Sequence, residues 1–305
     1  MLIVITGPTA TGKTALGIQL AKQHDGEIVS ADSMQIYKYM DIGTAKPTPE
    51  EQKSVPHHMI DVVPPWENYS VARYVKEATT IIDDIIKRGK KPIIVGGTGL
   101  YIDSLLSGRE FAPKGDEKLR IELEERYEKV GGEEMLSELK NIDPITAERL
   151  SPNDKKRIVR ALETFIVTGK TKEQHDEETR KIPPRYKAQK YALIYDDRAV
   201  LYDKIDKRVD NMIKSGLEQE VENLLKMCKP FESELNKGRK PTAMKAIGYK
   251  ELTETINGNV PLSDAIETIK MESRRYAKRQ MTWLRRDKTI VKLSPQLCHS
   301  AQVAE

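Results

Sequence analysis

Two rhythms of apolar and polar residues run along this chain. Short unbroken apolar runs at residues 2–6, 27–31, 92–95 and 191–195 read as buried strands. Between the first three lie helical stretches at 14–22 and 71–88. In the second of these, Val71, Val75, Ala78, Ile82 and Ile85/Ile86 recur at the spacing of one helix face. Strand–helix–strand alternation predicts a parallel sheet with right-handed crossovers. From residue 116 to about 179 no strand-like run occurs. The pattern there predicts helices over 117–129, 132–139, 145–150 and 153–168, the last preceded by Ser151-Pro152 and stopped by Gly169. An all-helical insertion therefore interrupts the sheet before its last strand. Beyond Asp196 the spacing of three and four predicts helices over 203–227, 242–254 and 263–286, with a charged, glycine-containing and mobile loop over 231–240.

A chain of 305 residues, 38% hydrophobic and 32% charged, has ample material for one large or two modest domains. The division expected is 1–112 with 188–305 for the sheet domain and 113–187 for the helical insertion. No apolar run approaches the roughly 20 residues that span a bilayer. A functional loop beginning at Gly7 leaves no room for a targeting segment, so a cytoplasmic protein with no membrane partner is expected. Cys228 and Cys298 stand far apart, which indicates neither a disulfide framework nor a zinc site. His57 and His58 are adjacent, and neighbours on a strand point different ways, which argues against a shared metal. The net charge of +4 is uneven. Residues 262–288 hold eight Lys/Arg against four Asp/Glu, whereas 111–189 balances at seventeen of each sign. A polyanion-binding surface must then come from local geometry.

The strongest chemical signal lies between the first apolar run and the first helix. Residues Gly7, Pro8, Thr9, Ala10, Thr11, Gly12, Lys13 and Thr14 spell "GPTATGKT", the spacing of a phosphate cradle. Backbone N–H groups of such a turn and the positive end of the following helix converge on phosphate oxygens. Lys13 adds a point charge, and the Thr14 hydroxyl can ligate Mg²⁺. With the sheet pattern, this predicts an α/β fold: a P-loop NTPase-like parallel sheet flanked by helices, carrying the all-helical insertion.

Other elements qualify that picture. Asp32 follows the second apolar run, at the strand edge where α/β sheets bind ligands. A carboxylate there can accept a proton, or simply cap a turn. The run "KPIIV" ends in Gly96-Gly97-Thr98 where a motor ATPase usually carries an acidic residue. This weighs against a hydrolytic motor but leaves a small-molecule kinase open. Basic residues cluster at Lys155, Lys156, Arg157 and Arg160, and again at Arg274, Arg275, Lys278, Arg279, Arg285, Arg286 and Lys288. Such runs are solvated faces or grips for an RNA backbone. Trp283 can stack on a base or pack in the core.

In combination these segments resemble the tRNA dimethylallyltransferases (tRNA isopentenyltransferases). The resemblance is carried by "GPTATGKT", "DSMQIYKYMDIGTAKP", "HHMIDVV", "GGTGLY", "DPITAERLSPNDKKRIVRALE", "KRVDNMIKSGLEQEV", "TAMKAIGYKE" and "RQMTWLRR", in the family's order from residue 7 to 286. Thr11 stands where Ser or Val is usual, and Pro64 where Asp is common.

The resemblance implies transfer of a dimethylallyl group from its diphosphate to the N6 amine of the adenosine 3′-adjacent to the anticodon, in tRNAs reading codons that begin with U. Residues 7–14 would then hold the diphosphate, with Mg²⁺ on Thr14. It implies Asp32 as the proton acceptor, with Thr98 and Arg208 as catalytic contacts to the diphosphate. It places Asp32, Ser33, Met34, Gln35 and Thr98 around the flipped base. Arg120, Lys156, Arg157, Ile158, Val159 and Arg160 would contact the tRNA anticodon stem-loop, and a monomer is expected. Three rivals remain at this point: a P-loop kinase, a nucleotide-gated RNA-binding protein, and a prenyltransferase acting on free adenine nucleotides.

Overall fold

The computed structural model describes residues 1–113, 117–231 and 241–295. The elements run in the order β1 (Leu2–Thr6), α1 (Lys13–Gln23), β2 (Gly26–Ser30), α2 (Pro49–Ser54), β3 (His57–His58), α3 (Val71–Lys87), β4 (Lys91–Val95) and α4 (Gly99–Leu106). There follow α5 (Glu117–Val130), α6 (Gly132–Ile142), α7 (Pro144–Ala147), α8 (Lys155–Thr168) and α9 (Lys172–Arg180). The chain continues through β5 (Ala188–Leu193), α10 (Arg198–Lys214), α11 (Leu217–Cys228), α12 (Tyr249–Ile256), α13 (Leu262–Leu284) and β6 (Val291–Leu293). The loop expected over 231–240 lies, beyond Phe231, outside the described residues. Among the described residues no helix is long and apolar enough to cross a membrane.

Six strands form one sheet in the order β3-β2-β4-β1-β5-β6, and every pairing is parallel. The period of two sorts side chains to its faces. Leu2, Val4, Val29 and Ile94 pack against α3 and α4, where Tyr74, Ala78, Ile82, Ile102 and Leu105 are buried. Ile5, Ile28, Ile93 and Val95 pack on the other face against Leu16, Leu20 and Ala21 of α1. A third apolar cluster joins Ile36, Tyr37 and Met40, after β2, to Val209, Leu217, Val221, Tyr249 and Ile269 of α10–α13. It clamps the segment after β2 beside the carboxyl edge of the sheet.

Several expected boundaries move. The strand over 191–195 is not the last, because β6 pairs beyond it. The single helix over 203–227 is two, broken at Gly216 with φ 95°. That over 242–254 becomes a short 3₁₀ turn and α12, separated by Gly248 with φ 94°.

The chain divides into two compact units, Met1–Leu106 with the chain from Tyr186 onward, and Ser107–Arg185. The second starts ahead of the expected 113–187 span and is all helical. Its core holds Leu123, Met135, Leu139, Ile158, Val159 and Leu162. It also contains α9, which the apolar spacing did not predict.

Candidate active site

Neighbouring strands β1, β4 and β2 deliver three loops to one edge of the sheet: residues 7–12, 96–98 and 31–35. The first turns back on itself, and Gly12, with φ 82°, opens α1 in a left-handed conformation that a side chain would strain. Thr11 is buried, and its hydroxyl donates to the Pro8 carbonyl at 2.9 Å. Lys13 Nζ donates to the same carbonyl at 2.7 Å.

The last long helix braces this loop. Gln280 on α13 accepts from the Thr9 N–H at 2.9 Å through Oε1, and its Nε2 donates to the Gly97 carbonyl at 2.9 Å. A Cβ on Gly97 would fall 2.2 Å from Gln280 Nε2, and one on Gly99 would meet the Trp283 ring at 2.4 Å. Gly97 and Gly99 therefore admit α13 side chains. Trp283 packs here and donates to Asp103 at 2.7 Å, which resolves its two readings in favour of packing.

Asp32 caps a turn and also faces the site. Its Oδ1 accepts from the Met34 N–H at 2.9 Å and, more weakly, from the Gln35 N–H at 3.4 Å. Among the described hydrogen bonds none engages Oδ2. Thr98 accepts from the Ser33 N–H at 3.0 Å and donates toward Ser33 Oγ at 3.3 Å. It holds the Asp32 turn and is absent from the described lining of both chambers below.

Two chambers meet at this edge. One, of about 270 Å³, is polar and lined by residues 9–14, Gly96, Gly97, Lys46 and Gln35. The other, of about 290 Å³, carries Met34, Ile205, Val209, Met212, Leu217 and Ile269. Thr9, Asp32, Thr44, Arg208 and Tyr276 line both. Gln35, expected with Ser33 and Met34 around a base, stands instead on the polar side, its amide spent on the carbonyls of Thr44 and Ala45 at 3.3 and 3.2 Å.

The electrostatics favour an anion. Burial pushes the Lys13 ammonium down to about 7, Arg208 adds to this, and Asp32 opposes it. Burial also lowers Arg208 below its ordinary value, again against Asp32. Tyr276 is pushed up to about 12, by burial first and then by the Asp32 carboxylate. Two desolvated cations thus face a single carboxylate in the shared wall, an arrangement that a diphosphate would relieve.

Thr14 lies on the polar wall, and its hydroxyl makes no hydrogen bond among those described. Among the described residues no cluster of three or more His, Cys, Asp or Glu could cage a metal. A magnesium ion needs no such cage, since it keeps several waters and takes one or two protein oxygens plus substrate phosphates. The donor set fits that pattern.

The helical unit treats its expected RNA contacts unequally. Lys156 and Arg157 are exposed on the first turn of α8. Ile158 and Val159, at 0% and 2% exposure, belong to the core, so their side chains cannot touch RNA. Arg120 and Arg160 both reach the buried Glu163, at 3.4 and 2.7 Å, and Arg160 also donates to the Ala112 carbonyl at 2.7 Å. Part of their charge is thereby neutralised locally. In the second basic run, Arg274 pairs with Asp206 at 2.6 Å and Arg275 with Glu272 at 2.6 Å.

Comparison with known proteins follows the same lines. The IPP transferase family matches residues 35–287, and the isopentenyl transferase family residues 1–62. The chain is 48% identical over 290 residues to the tRNA dimethylallyltransferase of Carboxydothermus hydrogenoformans, covering 95% of this chain and 90% of that one. It resembles the crystal structure of a tRNA isopentenylpyrophosphate transferase from Bacillus halodurans with a TM-score of 0.68 and 40% identity, over 96% of this chain and 89% of that one. A eukaryotic dimethylallyltransferase acting on tRNA matches with a TM-score of 0.80 and 32% identity, over 96% of this chain and 73% of that one.

Proposed function

This chain belongs to the IPP transferase family, and from that membership and the paired chambers we propose how its residues carry out the family's reaction. It is a tRNA dimethylallyltransferase, moving a five-carbon unit onto the adenosine beside the anticodon. The observation that carries the assignment of roles is the shared wall: Asp32 and Arg208 face both the phosphate-loop chamber and the apolar one.

Dimethylallyl diphosphate seats its charged end among the loop amides, Lys13 and Arg208. The target adenosine swings out of the anticodon loop and enters past Met34 and Ser33. Its N6 amine is a poor nucleophile because the lone pair is delocalised into the ring. As N6 bonds to the allylic carbon, the carbon–oxygen bond breaks and the diphosphate departs with the electron pair. Lys13 and Arg208 stabilise the charge on that leaving group. Asp32 Oδ2 takes the proton released by N6 while Oδ1 stays anchored in its turn. Thr98 serves by holding Ser33 and the Asp32 turn. Thr14 would hold Mg²⁺, whose chemistry is to neutralise charge on the diphosphate.

Lys156 and Arg157 grip the tRNA backbone, with Arg120 and Arg160 contributing what charge Glu163 leaves them. Every group named comes from one chain, so a monomer is sufficient. Transfer of phosphate to a small acceptor, which the loop motif alone permits, gives the apolar chamber no task. The test is incubation with an unmodified anticodon stem-loop reading a UNN codon and dimethylallyl diphosphate, followed by mass analysis of the nucleosides. The expected product is adenosine enlarged by one five-carbon unit. An unmodified adenosine, or a phosphate on any acceptor, would overturn the reading.

A further inference from the structure

Glu220, on α11, performs a task that the chemistry above does not use. Its carboxylate accepts three successive backbone N–H groups, from Asp41 at 2.9 Å, Ile42 at 2.8 Å and Gly43 at 3.1 Å. The Tyr249 hydroxyl of α12 adds a fourth donor at 2.6 Å. Consecutive N–H groups form a concave anion seat, and four donors saturate a carboxylate.

The segment so held bears strain. Tyr39 and Ala45, neither of them glycine, adopt φ of 65° and 46°. Such conformations persist in non-glycine residues only where surrounding contacts impose them. A second anchor acts from the other side. Lys46, with 3% of its side chain exposed, donates to the Tyr37 carbonyl at 2.7 Å and pairs with Asp41 at 2.7 Å and Asp61 at 2.5 Å.

From the anchored loop a chain of contacts leads to the reacting groups. The carbonyls of Thr44 and Ala45 take the Gln35 amide, and Gln35 Oε1 accepts from Ser30 Oγ at 3.1 Å. The Gln35 N–H in turn lies on Asp32 Oδ1 at 3.4 Å. Gly43, Thr44 and Tyr249 also line the apolar chamber.

We propose that Glu220 is a positioning residue: by seating the N–H groups of residues 41–43, it fixes the loop that orients Gln35 and, through it, the Asp32 carboxylate. This rests on the reading of Asp32 as proton acceptor. A negative charge is required, because an amide here would turn its NH₂ group either toward the Asp41 and Ile42 N–H donors or toward the Gly43 N–H and the Tyr249 hydroxyl.

The experiment compares wild type, Glu220→Gln, Gln35→Met and the double variant by steady-state kinetics and thermal melting. Asp32→Asn, measured alongside, tests the underlying reading separately: an unchanged kcat there removes Asp32 as proton acceptor, whatever Glu220→Gln does. Glu220→Gln should lower kcat about 10–100-fold, with KM for both substrates changed less than about threefold. The double variant should be little worse than the more damaged single variant, because the two residues act along one chain of contacts. If Glu220→Gln does not fold, Tyr249→Phe replaces it in the same cycle, removing one donor and keeping the carboxylate. Unchanged kcat, a loss confined to KM, or losses that multiply independently would each overturn the proposal.

Discussion

With Lys13 as a diphosphate ligand, as proposed above, binding should be sensitive to pH in a calculable way. Its ammonium is held at about 7 in the ligand-free protein, by burial and then by Arg208, with Asp32 opposing. A bound diphosphate requires the charged form. Binding strength is therefore fully present below pH 7 and is lost as pH rises toward the higher value that Lys13 takes beside the anion. For a group titrating at about 7, the charged fraction at pH 8 is about one in eleven. The dissociation constant should then worsen about 50-fold from pH 7 to pH 9, or ~2.3 kcal/mol. The second ionisation of a phosphate group, near 6, is largely complete across this range and does not mimic the effect.

Isothermal titration calorimetry with dimethylallyl diphosphate reads this directly. Run at pH 8 in buffers of different ionisation enthalpy, it should count uptake of about 0.9 proton per diphosphate bound. Lys13→Arg is the control, since a guanidinium stays charged throughout the range. That variant should show a shallow dependence on pH and little proton uptake. Wild type and Lys13→Arg with equal slopes, or wild type binding without proton uptake, would refute the argument.

Three further outcomes follow from the same geometry. Because burial depresses Lys13, the unfolded chain binds more protons between about pH 7 and 10.5, and ligand-free stability should rise with pH across that window. Lys13→Met should accordingly raise the ligand-free melting temperature at pH 7, by roughly 2–4 °C for each kcal/mol relieved, while abolishing diphosphate binding in the same calorimeter. Asp32→Asn keeps an oxygen for the Met34 and Gln35 N–H groups, so it separates proton acceptance from turn capping. It should cost about 10²–10⁴ in kcat with tRNA affinity nearly unchanged, as kinetics and filter binding would report. Lys156→Ala and Arg157→Ala should each reduce the salt slope of tRNA binding by about 0.7–0.9 without altering melting, whereas Ile158→Ala should cost about 2–5 kcal/mol of stability in the helical unit.

Local signals foretold much of the fold, and their physical limits explain the misses. The buried strands of the sheet were readable because an apolar run of five has few other fates. Strand β3 spans only His57–His58, and β6 only Val291–Leu293, too short to show any period. Helix α9 has no apolar stripe to reveal it, yet its start was written in Thr171 and Gln174, which exchange the hydrogen bonds of a capping box. Thr48 and Glu51 make the same exchange at α2. Gly216 and Gly248, both at positive φ, cap the starts of α11 and α12, while the apolar spacing on either side continues as though unbroken.

The site divides along a different line. Residues 7–14 and Asp32 were conspicuous because strand, turn and helix follow one another within a few positions. Arg208 entered through family resemblance, and nothing in its local spacing marked it. Gln280 and Glu220 gave no local signal at all. Their partners lie 271 and 179 positions away, at Thr9 and Asp41. Their role depends on α11 and α13 returning to the sheet edge, which periodicity within a helix does not encode. Glycine offered the one available hint. Gly97 and Gly99 leave room for close approach, and the bodies approaching are Gln280 and Trp283. The phosphate loop is thus held from outside by the last helix. Its amides would present one geometry to the proposed diphosphate only while that helix stays packed, so the proposed charge-binding groups and the contacts that place them form a single mechanical unit.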